Sequence, residues 1–256
     1  MVPVRLYIET RVRAGLGTVW DRSQQPDEHK RWDLRFGDIT YLPCAPGEPQ
    51  RFRYATRVLP MVTIAGTGVA AGERERPDGS RVSALRFSSA HPLSLIAEGS
   101  GYWRYVPDGD GLRFLTGYDY RPRWGRFGRA ADRFLFRPLM GWATAWSFDR
   151  LRLWCERGIS PERSLLHALA ELLVRTAAVP AAVAAAIAVA PDRSPAGAVF
   201  AAAVPAVVAV ATLLVPPLPV TPAARRTLRR PPGREQGADG AGTEAVPSLL
   251  GTLEQP

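Results

Sequence analysis

The aromatic residues of this chain stop almost completely at one point. All but one of its Phe, Trp and Tyr residues lie at or before Trp154, and the exception is Phe200. Up to Gly158 the sequence is rich in Arg and aromatic residues, whereas Ser164 to Ala224 is mainly Ala, Val, Leu and Pro. We therefore predict two parts built for different solvents, a water-facing domain over residues 1–158 and a lipid-facing part over residues 159–224.

Two uncharged runs dominate the second part. Thr176–Pro191 carries no charge over 16 positions, and Ser194–Ala224 carries none over 31. Crossing a bilayer takes roughly 20 apolar residues, which the second run supplies and the first supplies if it is extended toward the N-terminus. We expect a two-helix transmembrane hairpin, with spans at about 165–190 and 195–218. A soluble Ala-rich hairpin packed on the front domain is the alternative.

Arginines flank the hairpin on one side only. Arg157 and Arg163 precede it, whereas the connecting turn holds only Arg193 beside Asp192. The arginines that follow it are Arg225, Arg226, Arg229 and Arg230. The positive-inside rule then predicts a cell-membrane protein whose front domain and both termini are cytoplasmic. The Gly- and Pro-rich stretch 225–256 is expected to be a disordered cytoplasmic tail, and the alternating, charged N-terminus is unlike a secretory signal.

The front part has the pattern of an α+β domain. Short helices are expected over Gly15–Arg31, and six strand-like runs joined by Pro, Gly and Asp turns follow between Phe36 and Arg121. Apolar residues at steps of three and four then predict a long helix over Arg126–Glu156, which Pro138 should kink and Gly158 should end. This order predicts a curved antiparallel sheet around a long C-terminal helix.

No catalytic, metal or phosphate-binding motif is present. The isolated histidines are His29, His91 and His167, and the two cysteines, Cys44 and Cys155, form no CxxC pair. We therefore expect neither a metal nor a cofactor. The Gly-rich run Gly66–Glu73 lies within a strand pattern, which favours a bulge or a close backbone approach over a phosphate loop.

The positive charge suggests a class of partner. Nearly all of the formal net charge of +9 arises before residue 164. This charge suits an anionic membrane surface or an acidic ligand, and no nucleic-acid-binding module is recognisable, so no nucleic acid is expected as a partner.

Aromatic and charged residues concentrate on two neighbouring strands and the long helix. Alternation places Phe114, Tyr118 and Tyr120 on one face of the last strand. A sheet face of this composition suits a cavity for a largely apolar ligand, although the same side chains could fill an ordinary core against the helix. The candidate cavity residues are Trp103, Tyr105, Phe114, Tyr118, Tyr120, Trp142, Trp146, Glu98, Arg104 and Asp119.

Four arginines recur at helical spacing at the start of the long helix. They are Arg126, Arg129, Arg133 and Arg137. Such a stripe is either an ordinary solvated face or a patch held against anionic lipid headgroups, where each cation contributes about 1 kcal/mol. The neighbouring hairpin makes these arginines candidate membrane-surface residues.

Four segments carry a family resemblance: HKRWDLRF (29–36), SGYWRYVP (100–107), TGYDYR (116–121) and FRPLMGWATAWSFDRLRLW (136–154). With the order of elements, they resemble the START-like or SRPBCC superfamily of polyketide cyclase/dehydrase and lipid-transport domains over about residues 4–158. The resemblance implies a helix-grip fold with a cavity between the sheet and the long helix, used elsewhere for lipids, sterols, polyketides or hormones. It carries over no catalytic residue.

Three functions are compatible with these features. The first is a membrane-tethered cytoplasmic domain that binds a hydrophobic small molecule or lipid. The second is a cyclase or aromatase-type enzyme in which Glu98, Arg104 and Asp119 steer enolate chemistry. The third is a non-enzymatic membrane scaffold or regulator. Because no catalytic motif is present, a binding protein is favoured over an enzyme, and the ligand and oligomeric state stay open.

Overall fold

A computed structural model of the protein describes residues 6–59, 61–189 and 195–231. The first elements are strand β1 (Leu6–Val12) and helices α1 (Leu16–Gln24) and α2 (Pro26–Trp32). The remaining strands are β2 (Asp38–Tyr41), β3 (Arg51–Leu59), β4 (Val62–Glu75), β5 (Arg81–Ser88), β6 (Ile96–Asp108) and β7 (Gly111–Pro122). Helix α3 (Gly125–Ala131), a π-helical segment (Asp132–Phe136), and helices α4 (Arg137–Arg157), α5 (Pro161–Val189) and α6 (Pro195–Leu214) follow, before a 3-10 turn (Ala224–Arg226).

All seven strands form one antiparallel sheet. Its order is β1-β7-β6-β5-β4-β3-β2, so each strand from β2 to β7 pairs with its sequence neighbour and β1 closes against β7. Helix α4 packs against β1 on the inner side of the sheet, and α1 and α2 contact α4. The predicted α+β helix-grip fold, a curved sheet around a long C-terminal helix, is confirmed by this topology.

Aromatic rings fill the core between the sheet and helices α2 and α4. The rings of Trp103 and Phe114, on neighbouring strands, stack with centroids 5.5 Å apart. Phe148 of α4 stacks on Phe114 at 4.7 Å, and Trp32 of α2 meets these rings edge-on. Such rings contribute both large apolar areas and favourable ring geometry. They fix how α4 lies on the sheet.

The long predicted helix is divided as its sequence suggests. Pro138 occupies the first turn of α4, and the π-helical segment stands directly before it. Since proline has no N–H to donate to the preceding turn, the break in the helical ladder is accommodated there. At the other end Gly158 adopts φ +64°, and the Ile159 amide bonds to the Leu153 carbonyl. The predicted C-terminal glycine stop is confirmed.

Helices α5 and α6 pack on each other as a hairpin, and both are long and apolar enough to cross a membrane by length and composition. Their apolar side chains are largely exposed, so the hairpin is not the core of a soluble domain. Arg175 of α5 donates to the carbonyls of Thr212 and Val215, at the end of α6. The connecting turn with Arg193 lies outside the described residues.

The prediction of a disordered tail from residue 225 is wrong for its first residues. Ala223 and Arg226 bond to the buried Asp149 of α4 at 2.7 and 2.9 Å, and Leu228 forms a bridge with Glu9 of β1. These partners are distant in sequence and buried on the front domain, so the segment after α6 returns to it. Residues 232–256 lie outside the described part of the chain.

Candidate functional site

A cavity of about 380 Å³ lies between the inner face of the sheet, helix α2 and the start of α4. Its volume falls within the range of small-molecule sites. Apolar side chains dominate its wall. Among them are Phe36, Ile39, Phe52, Tyr54, Ile64, Leu85, Phe87, Trp103, Tyr118, Phe136 and Met140.

Two glycines of β4 give this cavity its shape. The rings of Phe52 and Tyr54, on β3, lie over Gly68 and Gly66, where an added Cβ would overlap them. Because the rings lie flat on the backbone of the neighbouring strand, the space above them stays open. The expectation of a close backbone approach in this Gly-rich run is confirmed, and a bulge between Ala70 and Gly72 accompanies it.

A buried charged cluster stands on the cavity wall at the end of α2. Asp33 accepts two hydrogen bonds from the Arg35 guanidinium, at 2.9 and 2.6 Å, and one from His29 Nε2 at 3.1 Å. Burial alone would raise the pKa of Asp33, but the charge and hydrogen bonds of Arg35, with those of His29, hold it well below its usual range. His29 and Arg35 line the cavity, and Asp33 fixes both of them.

The Arg35 guanidinium also lies over aromatic rings. Its central carbon is 5.5 Å from the ring centres of both Trp103 and Tyr118. The Tyr118 hydroxyl lies 3.0 Å from that of Thr144 on α4. A cation held this way, desolvated and stacked, is a fixed positive centre facing an otherwise apolar space.

A second cluster of polar side chains, beside the cavity at the end of α1, is uncharged. Tyr105 accepts from Gln24 Nε2 at 2.6 Å and lies 2.6 Å from the Ser23 hydroxyl, while Ser83 donates to Gln24 Oε1 at 3.3 Å. Burial raises the pKa of Tyr105, so its hydroxyl stays protonated. Ser23, Gln24 and Ser83 line the cavity. They offer hydrogen bonds without charge.

The predicted cavity residues on β6 and β7 fall into three groups. Trp103 and Tyr118 line the cavity. Tyr105 and Phe114 are fully buried in the adjoining core. Tyr120 is buried too, and its hydroxyl donates to Asp132 of the π-helical segment.

The prediction that Glu98, Arg104 and Asp119 belong to the cavity is wrong. Successive strand residues face opposite sides, and the inward positions of these strands are taken by aromatic neighbours such as Trp103 and Tyr120. Glu98 forms an exposed ion pair with Arg121 at 3.1 Å, and Asp119 accepts from the Tyr120 amide. The three polar side chains therefore lie on the outer face, and the enolate-steering role assigned to them is discarded.

Trp142 and Trp146 are also absent from this cavity. They stack on each other in a second, more open pocket, which the segment after α6 closes. Met140 and Thr144, four residues apart, face the sheet, whereas Trp142 lies two residues from each, on the opposite side of α4, and is exposed. The prediction of Trp142 and Trp146 as cavity residues is wrong.

The arginine stripe holds three exposed members rather than four. Arg126, Arg129 and Arg133 are exposed, but Arg137 is half-buried and pairs with Asp132 at 2.9 Å. Large apolar side chains stand beside the exposed arginines, with Phe134 76% exposed. The other exposed apolar residues of this surface are Phe127, Leu135 and Leu139.

The sequence interpretation missed the polar residues that do line the cavity, chiefly His29 and Arg35. Their signal was present in the HKRWDLRF segment, where His29 and Asp33 are one helical turn apart and Arg35 follows two residues later. Because the segment is also rich in ordinary surface residue types, only the structure distinguishes the buried ones.

No protein-family model matches the chain. The uncharacterized membrane protein YndG of Bacillus subtilis (strain 168) is 48% identical over 165 residues, which are 64% of this chain. The chain covers 62% of that protein, less than two thirds of its length.

Similar solved structures match between half and two thirds of the chain. The STAR-related lipid transfer protein of Xanthomonas axonopodis has 17% identity and a TM-score of 0.45, and the match covers 58% of this chain and 83% of that one. The Zhui aromatase/cyclase of Streptomyces sp. R1128 has 15% identity and a TM-score of 0.41, covering 59% and 98%.

Proposed function

We propose that this chain is a membrane-anchored protein that holds a hydrophobic small molecule or lipid in the cavity between its sheet and helices. Membrane anchoring is supported by the two apolar helices α5 and α6 and by the description of its Bacillus subtilis relative as a membrane protein. Ligand binding is supported by the cavity itself, which carries the proposal.

The observation that most strongly supports ligand binding is that two glycines keep the cavity open. Gly66 and Gly68 let the rings of Tyr54 and Phe52 lie against the sheet, and no larger residue fits there without moving them. A core designed only for stability would fill such a space, because voids forfeit packing energy.

The wall also constrains the chemistry of the ligand. Most of it is apolar, and its buried polar groups include the Arg35 guanidinium and the His29 imidazole, both held by Asp33. A ligand with an apolar body and one carbonyl, carboxylate or hydroxyl oxygen would place that oxygen at this cluster. A ligand carrying charge along its length would leave it unpaired against aromatic rings, at a cost of several kcal/mol.

Occupancy of the cavity tests the binding proposal. The full chain is purified, extracted with organic solvent, and its co-purified small molecules are quantified by mass spectrometry. Gly68→Ala should drive the Phe52 ring into the cavity and reduce the bound amount at least several-fold. Gly17→Ala is the matched control, since nothing lies within 4 Å of its new Cβ. Equal amounts in the two variants, or none in the unmodified protein, would contradict binding.

The orientation proposal, with front domain and both termini cytoplasmic, is tested through a native thiol. Cys44 is exposed on the front domain. A membrane-impermeant maleimide should label it in inverted membrane vesicles and not in intact cells. Labelling in intact cells would place the domain outside.

We further infer that the surface of Arg126, Arg129 and Arg133 rests on the same leaflet, with the exposed Phe134 entering it. A spin label at Phe134→Cys should be shielded from a water-soluble paramagnetic reagent when the protein is in a bilayer. A label at Met61→Cys, whose native side chain is 94% exposed, supplies the control. Equal accessibility of the two labels would contradict the inferred contact between this surface and the leaflet.

A second candidate, a cyclase or aromatase-type enzyme, is favoured by one observation. His29 lines the cavity and is oriented by the Asp33 carboxylate, the arrangement of an imidazole that can take up a proton from a bound molecule. Deuterium exchange at the activated carbon of β-keto thioesters, followed by NMR, tests it. Exchange should be faster with the protein and fall to the background rate with His29→Gln. Background exchange with the unmodified protein would exclude this activity for that substrate class.

A further inference from the structure

A second pocket, of about 860 Å³, lies at the base of the hairpin. One wall is formed by Trp142 and Trp146, whose rings stack with centroids 6.3 Å apart. Another is formed by the apolar end of α6, at Leu213 and Val215. Its lining contains arginines and no acidic residue among those the structure describes. The pocket is therefore both apolar and positively charged.

Three of its arginines have no carboxylate partner within the described part of the chain. Arg225, Arg229 and Arg230 are exposed and form no ion pair within residues 6–59, 61–189 and 195–231. Nearby Arg175 and Arg226 differ, because both are engaged by carboxylates, Arg175 by Glu171 and Arg226 by Asp149 at 2.9 Å. Arg175 and Arg226 therefore have structural roles, whereas the side chains of the other three arginines are exposed to solvent.

The arginine-bearing segment is held in place rather than free. The Ala223 amide donates to Asp149 at 2.7 Å, and Leu228 exchanges two backbone hydrogen bonds of 2.9 Å with Glu9 of β1. Fixing a segment costs backbone entropy, which these buried contacts offset. A consequence is that these arginines are presented beside the tryptophans on a backbone that needs no further ordering on binding.

We propose that this pocket binds the phosphate-bearing headgroup of an anionic membrane lipid. Arginine matches phosphate oxygens in geometry and charge, and tryptophan is favoured where headgroups meet acyl chains. The apolar wall at Leu213 continues into the exposed surface of α6, which would receive the acyl chains of the same lipid. The inference rests on the proposed membrane insertion of α5 and α6.

The test uses the full chain in lipid nanodiscs of phosphatidylcholine with a minority of phosphatidylglycerol. Native mass spectrometry counts the lipids that stay bound after release. Arg225→Gln/Arg229→Gln/Arg230→Gln should weaken phosphatidylglycerol retention by roughly 100-fold, since each cation near the surface contributes about a fivefold gain. The matched control, Arg51→Gln/Arg53→Gln/Arg57→Gln, removes equal charge from exposed positions of β3 outside the pocket and should retain the lipid.

Each result decides between defined alternatives. Equal loss in both triple variants means diffuse charge attraction and overturns the pocket. Inorganic phosphate that displaces phosphatidylglycerol from the protein in the mixed nanodiscs, and that binds the protein in nanodiscs of phosphatidylcholine alone, would assign the site to free phosphate instead. A Trp142→Ala variant, which keeps the three arginines, should also lose phosphatidylglycerol, and unchanged retention would show that the tryptophan wall is not part of the site. Extraction of the unmodified protein by alkaline carbonate would refute membrane insertion; an integral protein without retained lipid refutes the headgroup site alone.

Discussion

Removing Arg35 is the sharpest test of the buried cluster at the cavity wall. Arg35→Met keeps a side chain of similar length and removes the cation that pairs with Asp33. The side chains of these residues are 8% and 0% exposed, so the carboxylate would be left buried with the His29 contact and the backbone amide of residue 35, which donates to Asp33 Oδ1 at 3.0 Å. Breaking a buried pair in this way costs about 3–5 kcal/mol, a large share of the 5–15 kcal/mol typical of a domain.

The pH dependence separates this explanation from simple loss of packing. In the native protein the pKa of Asp33 lies below its usual value. The ionised carboxylate therefore makes its full contribution to the free energy of unfolding above about pH 4, and this contribution is lost only as the pH falls further. Without Arg35, burial raises the pKa of Asp33 above its usual value. The folded variant then takes up a proton more readily than the unfolded chain, and its stability deficit shrinks as the pH falls toward 4.

Urea unfolding of the full chain in detergent, followed by near-ultraviolet circular dichroism of the aromatic core, measures both effects. The control is Arg121→Met, which breaks the exposed pair with Glu98, where the side chains are 71% and 62% exposed, and should cost no more than about 1 kcal/mol. A deficit for Arg35→Met as small as the control's, or one that grows on acidification, would refute the assignment of Asp33 as a buried anion held by Arg35.

The remaining predictions concern two helical glycines and the segment that follows α6. Gly158→Ala should destabilise the domain by about 1–2 kcal/mol, because alanine is strained at φ +64°. Gly17→Ala within α1 should instead stabilise it by up to about 1 kcal/mol, since nothing lies within 4 Å of the new Cβ and alanine favours the helix. Thermal unfolding should show a lower midpoint for the first variant and a higher one for the second. Asp149→Ala should release the Ala223–Arg226 segment and speed tryptic cleavage after Arg225 by tenfold or more, and an unchanged cleavage rate would show that the segment is held by other contacts.

Features governed by local backbone rules were predictable from the sequence. A glycine after a basic residue at the end of a periodic segment predicted the helix stop at Gly158, and the structure places it at positive φ. The glycines at 66 and 68, within a strand pattern, predicted a close approach, which the rings of Tyr54 and Phe52 make. Each depends on a few neighbouring residues, so a single sequence suffices.

Which face of a strand points inward was not predictable in the same way. Alternation groups Trp103 with Tyr105 and Tyr102 with Arg104, but both groups contain an aromatic residue. The outer ring of Tyr102 covers Gly117 of β7, so aromatic character does not identify the inner face. Alternation separates the two faces without saying which one meets the helix, so the polar residues Glu98, Arg104 and Asp119 were included among the cavity residues and lie outside the cavity.

The return of the chain after α6 depends on partners that only the fold brings together. Asp149 and Arg226 are 77 residues apart, and either one alone looks like an ordinary charged residue of a surface. A Pro- and Arg-containing stretch after a long apolar helix has the composition of a flexible segment, and composition does not reveal the buried carboxylate that orders it.

The π-helical segment joins the two surfaces on which the proposed function depends. Phe136 lines the cavity, whereas Phe134 is exposed beside the arginine stripe. Asp132, the first residue of the segment, accepts from the hydroxyl of Tyr120, on the sheet, and from Arg137 of α4 at 3.0 Å. A single buried carboxylate therefore fixes a five-residue segment against the sheet. We therefore expect a backbone shift that widens the cavity at Phe136 to move Phe134 as well, which would couple the proposed ligand entry to the proposed membrane contact.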